Sequence, residues 1–128
     1  AQTFTFELVS PEKVLLSGQA EQVQLPGSEG DMTILPNHAP LISTLRPGVI
    51  DVVRSEGRAR IFVRQAFAQV EPDRLTVLAE KAYDVSELKG AALSAEISAA
   101  EKDLADATTD EQRLVANQAL AALADLRA

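Results

Sequence analysis

Apolar and polar residues alternate along residues 1–80 of the chain. Phe4, Phe6 and Leu8 are separated by polar side chains, and similar runs recur at residues 23–25 and 75–78. Gly, Pro and acidic residues interrupt these runs at short intervals. Alternation with a period of two, broken by frequent turn signals, is typical of strands in packed antiparallel sheets. The pattern therefore predicts two packed sheets in this part of the chain.

Two segments have the composition of hairpin turns. Residues 55–58 read Ser-Glu-Gly-Arg and residues 71–73 read Glu-Pro-Asp, and both lie between alternating runs. Gly allows a positive φ and Pro holds φ near one value, so both residues favour tight turns. Residues 32–35 form a short apolar run between further turn signals, and they predict another strand.

The hydrophobic period changes near Asp84, where the pattern becomes helical. Asp84 is followed three residues later by Glu87, which is the spacing of a capping box. A helix is predicted over residues 86–106. Its apolar positions recur at helical spacing and form one stripe, made of Leu93, Ile97, Ala100 and Leu104.

A second helix is predicted after a break at residues 107–110. Thr109 and Gln112 have the spacing of a second capping box. The inner stripe of this helix is predicted from its apolar residues, namely Val115, Ala119, Ala122 and Leu126, with Leu120 and Leu123 beside them. So short a connection predicts an antiparallel hairpin over residues 85–128. The hairpin is rich in Ala, which forms helix readily but buries little area, so a mobile arm and a plain stabilising hairpin both fit.

The composition limits the kind of partner. The chain has 128 residues, a formal net charge of −7 and no cysteine. The negative charge argues against nucleic acid or an anionic lipid surface as the main partner. The lack of Cys excludes a disulfide framework and a thiolate metal site. No run approaches the roughly 20 apolar residues of a membrane span, so any membrane association is expected through a partner.

The candidate site residues lie in residues 26–48, which contain the only histidine, His38. A lone histidine cannot form a zinc site, and no nucleophile motif accompanies it. Residues 28–31 read Ser-Glu-Gly-Asp, an acidic turn that could be a solvated hairpin tip or could meet a basic or amide-bearing loop of a partner. No phosphate-binding, dinucleotide-binding or zinc-protease motif is present, so no motif supports an enzyme.

Residues 26–48, PGSEGDMTILPNHAPLISTLRPG, resemble the signature of the epsilon subunit family of F-type ATP synthases, called delta in mitochondria. The resemblance extends to residues 9–12, 17–18 and 75–79 and to the terminal hairpin, so it covers nearly the whole chain. It implies a ten-stranded antiparallel β-sandwich over residues 1–84, which binds the gamma subunit and the c-ring. It also implies that the helical hairpin over residues 85–128 is a regulatory arm.

The resemblance implies a role without catalysis. Members of the family are rotor subunits in the central stalk and couple rotation of the c-ring to gamma, here at the cytoplasmic face of a bacterial inner membrane. Their helices can extend toward the alpha and beta subunits and restrain ATP hydrolysis. Carried over by residue, the contact with the polar loops of the c-ring falls on Ser28, Glu29, Gly30, Asp31 and His38.

Some bacterial members of the family bind regulatory ATP through an [I/L]-D-x-x-R-A motif. Residues 109–114 match it at Asp110 and Arg113 and depart from it at Thr109 and Leu114. Asp and Arg at this spacing also form an ordinary ion pair on a helix surface, worth a few tenths of a kcal/mol. We therefore expect no resident cofactor and no metal, with regulatory ATP as the open alternative.

Two other functions remain open from the residues alone. The chain could be a β-sandwich adaptor whose helical hairpin, residues 86–128, forms a dimer. It could also be a small hydrolase that uses His38 and Asp31. The adaptor predicts self-association without affinity for gamma, whereas the hydrolase predicts an activity that is lost in His38→Ala.

Overall fold

The computed structural model describes residues 2–127 and, for side chains, residues up to Leu126. This part of the chain forms eight strands followed by two helices. The strands are β1 (Phe4–Val9), β2 (Val14–Ala20), β3 (Gln22–Gly27), β4 (Gly30–Ile34), β5 (Leu41–Leu45), β6 (Gly48–Arg54), β7 (Gly57–Glu71) and β8 (Arg74–Asp84). The helices are α1 (Ala91–Asp106) and α2 (Asp110–Arg127).

The eight strands form one hydrogen-bonded sheet that folds over into two layers. Layer one has the order β2-β1-β8-β7-β5, and layer two contains β4, β3 and β6 beside the other halves of β7 and β8. The long strand β7 joins the layers, because it pairs with β6 over residues 57–63 and with β5 over residues 66–70. The predicted sandwich is therefore confirmed, as are the hairpin turns after Arg54 and Glu71.

Two details of the predicted sandwich differ from the structure. There are eight strands rather than ten, because β7 and β8 each continue through both layers without interruption. β7 passes from one layer to the other near Gln65, whose φ of 53° changes the chain direction without ending the strand. The sheet is also not wholly antiparallel, since β1 pairs with β8 in parallel.

The core of the sandwich lies between the layers and is aliphatic, apart from two phenylalanines. Phe4, Phe6 and Leu8 point inward from β1, and Leu75, Val77 and Ala79 do the same from the first half of the neighbouring strand β8. The inward residues of both layers form one cluster, listed here for the larger side chains: Phe4, Phe6, Leu8, Val23, Leu25, Ile34, Leu45, Ile50, Val52, Ile61, Val63, Val70, Leu75 and Val77. Burial of these side chains is the main stabilising contribution to the sandwich.

The first capping box is wrong, and α1 begins at Ala91 rather than near residue 86. The Asp84 carboxylate accepts hydrogen bonds from the Ser86 N–H (2.9 Å) and the Ser86 hydroxyl (2.6 Å). These bonds form a local turn that competes with helix. Gly90, with a φ of 59°, then precedes α1 and provides no side-chain cap. The predicted end of the helix at residue 106 is confirmed.

The second capping box is confirmed. The Gln112 N–H donates to Thr109 Oγ1 (3.1 Å), and the Thr109 N–H donates to Gln112 Oε1 (3.3 Å). The inner stripe of α2 is formed by Ala116, Ala119 and Leu123. Val115, which was predicted to be in this stripe, is 39% exposed, because the buried face is rotated by one residue at the start of the helix.

The helical hairpin docks on the outer face of layer two. Phe62 points away from the sandwich core and packs with Leu88 and with residues of both helices. The helix residues in this second cluster are Leu93, Ala100, Ala119 and Leu123, with Ile97, Leu120, Ala122 and Leu126 at its margin. Within residues 2–127, neither helix is long and apolar enough to cross a membrane.

Candidate functional site

The acidic turn, residues 28–31, is a tight hairpin between β3 and β4. Gly27 pairs with Gly30, and Ser28 and Glu29 form the exposed tip. Gly30 has a φ of 136°, which residues with a Cβ rarely adopt. A Cβ on Gly27 would collide with the carbonyl oxygen of Gly30. The two glycines therefore determine the shape of the turn.

Arg46 ties this turn to the end of β5. Its Nη1 donates to the Gly27 carbonyl (2.6 Å), and its Nη2 donates to Asp31 Oδ1. Backbone bonds add to the connection, since the Arg46 N–H donates to Pro26 O (2.9 Å) and the Ser28 N–H donates to Thr44 O (3.0 Å). The Asp31 side chain remains 61% exposed in this arrangement. The turn is thus a fixed, acidic surface.

His38 lies at the other end of the sandwich. It follows β4 in a loop where the Asn37 N–H donates to Pro72 O (2.8 Å), next to the turn between β7 and β8. The His38 Nδ1 is 2.8 Å from the Ala39 carbonyl oxygen. The strand between Asp31 and the end of β4 alone spans about 10 Å. The structure therefore brings four of the five predicted c-ring residues together and leaves His38 apart.

This separation bears on the hydrolase alternative, which requires Asp31 to orient His38. Asp31 is paired with Arg46 instead, and the His38 ring bonds within its own loop. Because a catalytic acid and base must lie within hydrogen-bond reach of a shared reactant, this pair has no geometry for catalysis.

Asp110 and Arg113, the candidate nucleotide residues, form an ion pair of 2.6 Å at the start of α2. The Asp110 side chain is fully exposed and is not among the residues that line the neighbouring cavity. That cavity lies between α1, α2 and β7, and its charged lining consists of the carboxylates of Asp103, Asp106 and Glu111 and the guanidinium of Arg64, which is paired with Asp103. The excess of carboxylates makes the lining negative, and a negative lining repels the phosphates of a nucleotide. Regulatory ATP binding stays a prediction.

An apolar patch crosses the outer face of layer one. Phe67 pairs with Leu78 on β8, Leu78 pairs with Val9 on β1, and Val9 pairs with Val14 on β2. Ile42 lies next to this row on β5 and is 71% exposed, and Phe67 is 44% exposed. The patch could have been predicted from the sequence, because Phe67 is an apolar residue among the outward-facing polar residues of β7. Contiguous exposed apolar side chains typically mark an interaction surface.

A second feature missed by the sequence analysis is a buried charge cluster between α1 and the sandwich. The Arg64 Nη1 donates to Glu96 Oε1 (3.2 Å), and the Tyr83 hydroxyl donates to Glu96 Oε2 (2.8 Å). Burial, and then the hydrogen bond and charge of Glu96, raise the pKa of Tyr83 above its ordinary value. Glu96 follows Leu93 by three residues and precedes Ala100 by four, so its place on the buried stripe was readable from the helical period.

The chain is similar to one protein family over most of its length. The family model described as ATP synthase, Delta/Epsilon chain, beta-sandwich domain matches residues 3–85. A protein named ATP synthase epsilon chain from Parvibaculum lavamentivorans is 52% identical over 129 aligned residues, covering 99% of this chain and 97% of that protein. A protein of the same name from Rhodospirillum rubrum is 46% identical and covers 94% of this chain and 91% of its own.

Two solved structures share the fold. A chain in the cryo-EM structure of the Euglena gracilis mitochondrial ATP synthase (OSCP/F1/c-ring) matches with a TM-score of 0.74 at 18% identity, covering 98% of this chain and 80% of that chain. A chain in the Tetrahymena thermophila mitochondrial ATP synthase central stalk and c-ring structure matches with a TM-score of 0.71 at 12% identity, covering 99% and 98%. At these identities the likeness concerns the fold.

Proposed function

Because the chain belongs to the delta/epsilon family of ATP synthase subunits, we propose that it is a non-catalytic rotor subunit of a proton-transporting F-type ATP synthase. In this role it couples rotation of the c-ring to the gamma subunit, and the catalytic sites lie on other subunits. The names of the relatives, and the central-stalk and c-ring assemblies that contain chains of the same fold, support this role.

The observation that carries the proposal is the presence of two different surfaces on the sandwich, residues 1–84. The apolar patch on layer one is suited to a lasting protein contact, because burial of Ile42 and Phe67 would stabilise it. We assign this patch to the gamma subunit. Ile42 and Phe67 are the most exposed large apolar side chains described in the strands of this layer, apart from Val14 in the same patch.

The acidic turn provides the second surface, which we assign to the polar loops of the c-ring. Glu29 and Asp31 present carboxylates on a turn that is already ordered by Gly27, Gly30 and Arg46. A contact made by preformed structure loses little conformational entropy on binding. His38 was predicted to share this contact. That part stays a prediction, and the proposal relies on residues 28–31 because they form one surface.

Transmission of torque requires a stiff connection between the two surfaces. The acidic turn and the apolar patch are joined by β5 and β7, which pair directly over residues 41–45 and 66–70. The Ser28 N–H also donates to Thr44 O in β5. Packed protein interiors are dense and barely compressible, so force applied at the turn reaches the patch with little deformation.

In this proposal the helical hairpin, residues 85–128, is the regulatory arm. It is docked on layer two, away from the patch assigned to gamma. An extended hairpin would reach the alpha and beta subunits and restrain ATP hydrolysis. The proposed location is the cytoplasmic face of a bacterial inner membrane, held there through the complex, and the bacterial origin of the similar epsilon chains supports it.

The proposal is tested by co-migration of the purified chain with an alpha–beta–gamma complex on a sizing column. The complex is prepared from a relative such as Rhodospirillum rubrum, and an alpha–beta complex without gamma is the control. We expect the chain to move with the complex only when gamma is present. No binding to a matched complex that contains gamma contradicts the rotor role.

The adaptor alternative rests on a different observation. Leu114 and Val115 are exposed on α2 and could join two hairpins. This alternative predicts that the chain alone elutes as a dimer and that Leu114→Gln returns it to the monomer. The same column distinguishes the two functions, because the rotor role predicts a monomer that requires gamma for binding.

A further inference from the structure

The buried charge cluster lies where α1 crosses β7 and β8. The side chains of Arg64 and Glu96 are 8% and 7% exposed, so both charges are almost wholly removed from water. Glu96 accepts from Arg64 through one carboxylate oxygen and from Tyr83 through the other. Each of its two oxygens therefore accepts a hydrogen bond from the sandwich.

The cluster continues along α1 toward the helix end. The Arg64 Nη2 donates to Asp103 Oδ2 (2.6 Å), and the Lys81 Nζ lies 3.9 Å from Glu96 Oε2. Arg64 thus binds two positions of α1 that lie two turns apart. Within the described residues, the ion pairs that join the hairpin to the sandwich all involve Glu96 or Arg64.

We propose that this cluster is a reversible lock, which determines where the hairpin docks while adding little to the strength of docking. Removal of two charges from water costs desolvation free energy, and the attraction between the charges offsets that cost only in part. When α1 leaves the sandwich, the side chains of Arg64 and Glu96 are both hydrated again. In a shifted docking position, by contrast, a buried charge would be left without its partner, so other positions are disfavoured.

The remainder of the interface agrees with a lock of this kind. The buried residues of the hairpin include Ala100, Ala116 and Ala119, whose small side chains bury little apolar area. The chain enters α1 through Gly90, which has a φ of 59° and makes no side-chain cap. An uncapped helix start after a glycine is a place where the backbone can change direction at low cost.

The inference concerns the isolated chain and is independent of the rotor role. Its test is hydrogen–deuterium exchange of the purified full chain, read separately for peptides of α1 and for peptides of β7 and β8. Peptides of α1 report docking of the hairpin, whereas peptides of the two strands report folding of the sandwich.

Three variants give the test. Arg64→Met leaves the buried Glu96 carboxylate without the guanidinium, and Glu96→Leu leaves the buried Arg64 paired only with the exposed Asp103. In both variants we expect exchange in α1 to rise by about tenfold or more. The double variant Arg64→Met/Glu96→Leu is made in a Tyr83→Phe background, so that no hydroxyl loses its acceptor. It replaces the pair by apolar side chains, and we expect exchange in α1 to return to the rate of the Tyr83→Phe background or to fall below it. Lys102→Ala, which removes an exposed ion pair on the same helix, is the matched control and should leave exchange unchanged.

The double variant decides the outcome. If its α1 exchanges faster than in Tyr83→Phe alone, the pair contributes net strength rather than position, and the proposal is overturned. Unchanged exchange in both single variants overturns it as well. If Glu96→Leu disturbs the strand peptides, Glu96→Gln replaces it, since Gln keeps the shape of the side chain and removes only the charge; its α1 exchange must rise while that of β7 and β8 does not.

Discussion

At the level of single residues, Gly27 and Gly30 have different reasons to lack a side chain. Gly30 has a positive φ, whereas Gly27 has no room for a Cβ beside the Gly30 carbonyl. Both constraints act on the same two-residue hairpin. The turn that we assign to the c-ring therefore has one accessible shape, which is determined by backbone sterics before any partner binds.

The steric constraint at Gly27 predicts the effect of a methyl group. Gly27→Ala should lower the free energy of unfolding by about 1–3 kcal/mol, because either the turn or β3 must shift. The measurement is urea denaturation followed by circular dichroism. Gly18→Ala is the control, since nothing lies within 4 Å of a Cβ at that position, and it should change stability by less than about 0.5 kcal/mol. Equal effects of the two changes would contradict the steric argument.

Asp84 provides a prediction about pH. Hydrogen bonds from the Ser86 hydroxyl and then from the Ser86 N–H lower the pKa of Asp84 below its ordinary value. Because the folded-state pKa is lowered, the bonds stabilise the fold above the ordinary carboxyl range, near pH 4, and this contribution is lost as the pH falls through the folded-state pKa.

Removing the hydroxyl should reverse part of this shift. We expect Ser86→Ala to raise the pKa of Asp84 toward its ordinary value, as measured by NMR titration of the side-chain carboxyl carbon. Ser94→Ala, on the exposed side of α1, should leave that titration unchanged. A pKa of Asp84 that is the same in Ser86→Ala and in the wild type would show that the hydroxyl is not the cause.

At the level of elements, the sandwich and the hairpin bury separate clusters. The core between the layers contains strand residues only, while Phe62, Val49 and Tyr83 on the outer face of layer two pack against the hairpin. Removal of the hairpin uncovers this outer face and leaves the core between the layers intact. Folding of the sandwich should therefore not depend on the helices.

Truncation after Asp84 tests this independence. We expect the fragment 1–84 to keep its β-type circular dichroism and to bind gamma, since the apolar patch lies on the opposite layer from the hairpin. Its midpoint of unfolding should be lower than that of the full chain, because Phe62 becomes exposed. The fragment carrying Phe62→Ser is a useful companion, as it removes the uncovered apolar side chain. Loss of the β-type spectrum in both fragments would contradict the prediction.

At the level of the whole molecule, substitutions in the two assigned surfaces should have different effects: those in the apolar patch on binding to the complex, and those in the acidic turn on coupling. Phe67→Glu places a charge in the middle of the apolar patch, and we expect affinity for an alpha–beta–gamma complex to fall by about tenfold or more. Thr33→Glu adds the same charge on β4, outside layer one, and should leave affinity unchanged. The measurement is titration binding to the complex. If Phe67→Glu binds the complex as tightly as the wild type does, the assignment of this patch to gamma is contradicted.

The acidic turn should affect coupling rather than assembly. We expect Asp31→Arg to reduce ATP-driven proton pumping relative to ATP hydrolysis in membrane vesicles that carry the complex, because the contact with the c-ring is weakened by about tenfold. Glu29→Arg should act in the same direction without removing the bond from Arg46. Glu101→Arg, which reverses an exposed charge on α1, is the control. Retained coupling in both turn variants would contradict the assignment.

The amino-acid sequence by itself determined the features that arise from near neighbours. The alternating pattern showed which strand positions are apolar, the turns after Arg54 and Glu71 followed from their composition, and Thr109 and Gln112 marked the start of α2. Each of these depends on interactions within a few residues, which a linear pattern contains. The start of α1 was the exception, because Asp84 used its carboxylate for a turn rather than for a helix cap.

Only the tertiary structure decided which distant residues meet. Arg46 reaches Asp31 across 15 positions, and Arg64 reaches Glu96 across 32. The apolar patch depends on the registers of β1, β7 and β8, and the separation of His38 from the acidic turn depends on the direction of β4. The physical reason is that periodicity shows which face of an element is apolar but not which element will cover it. That choice is made by packing, and packing determined where the charges of this chain were buried and where its apolar side chains stayed exposed.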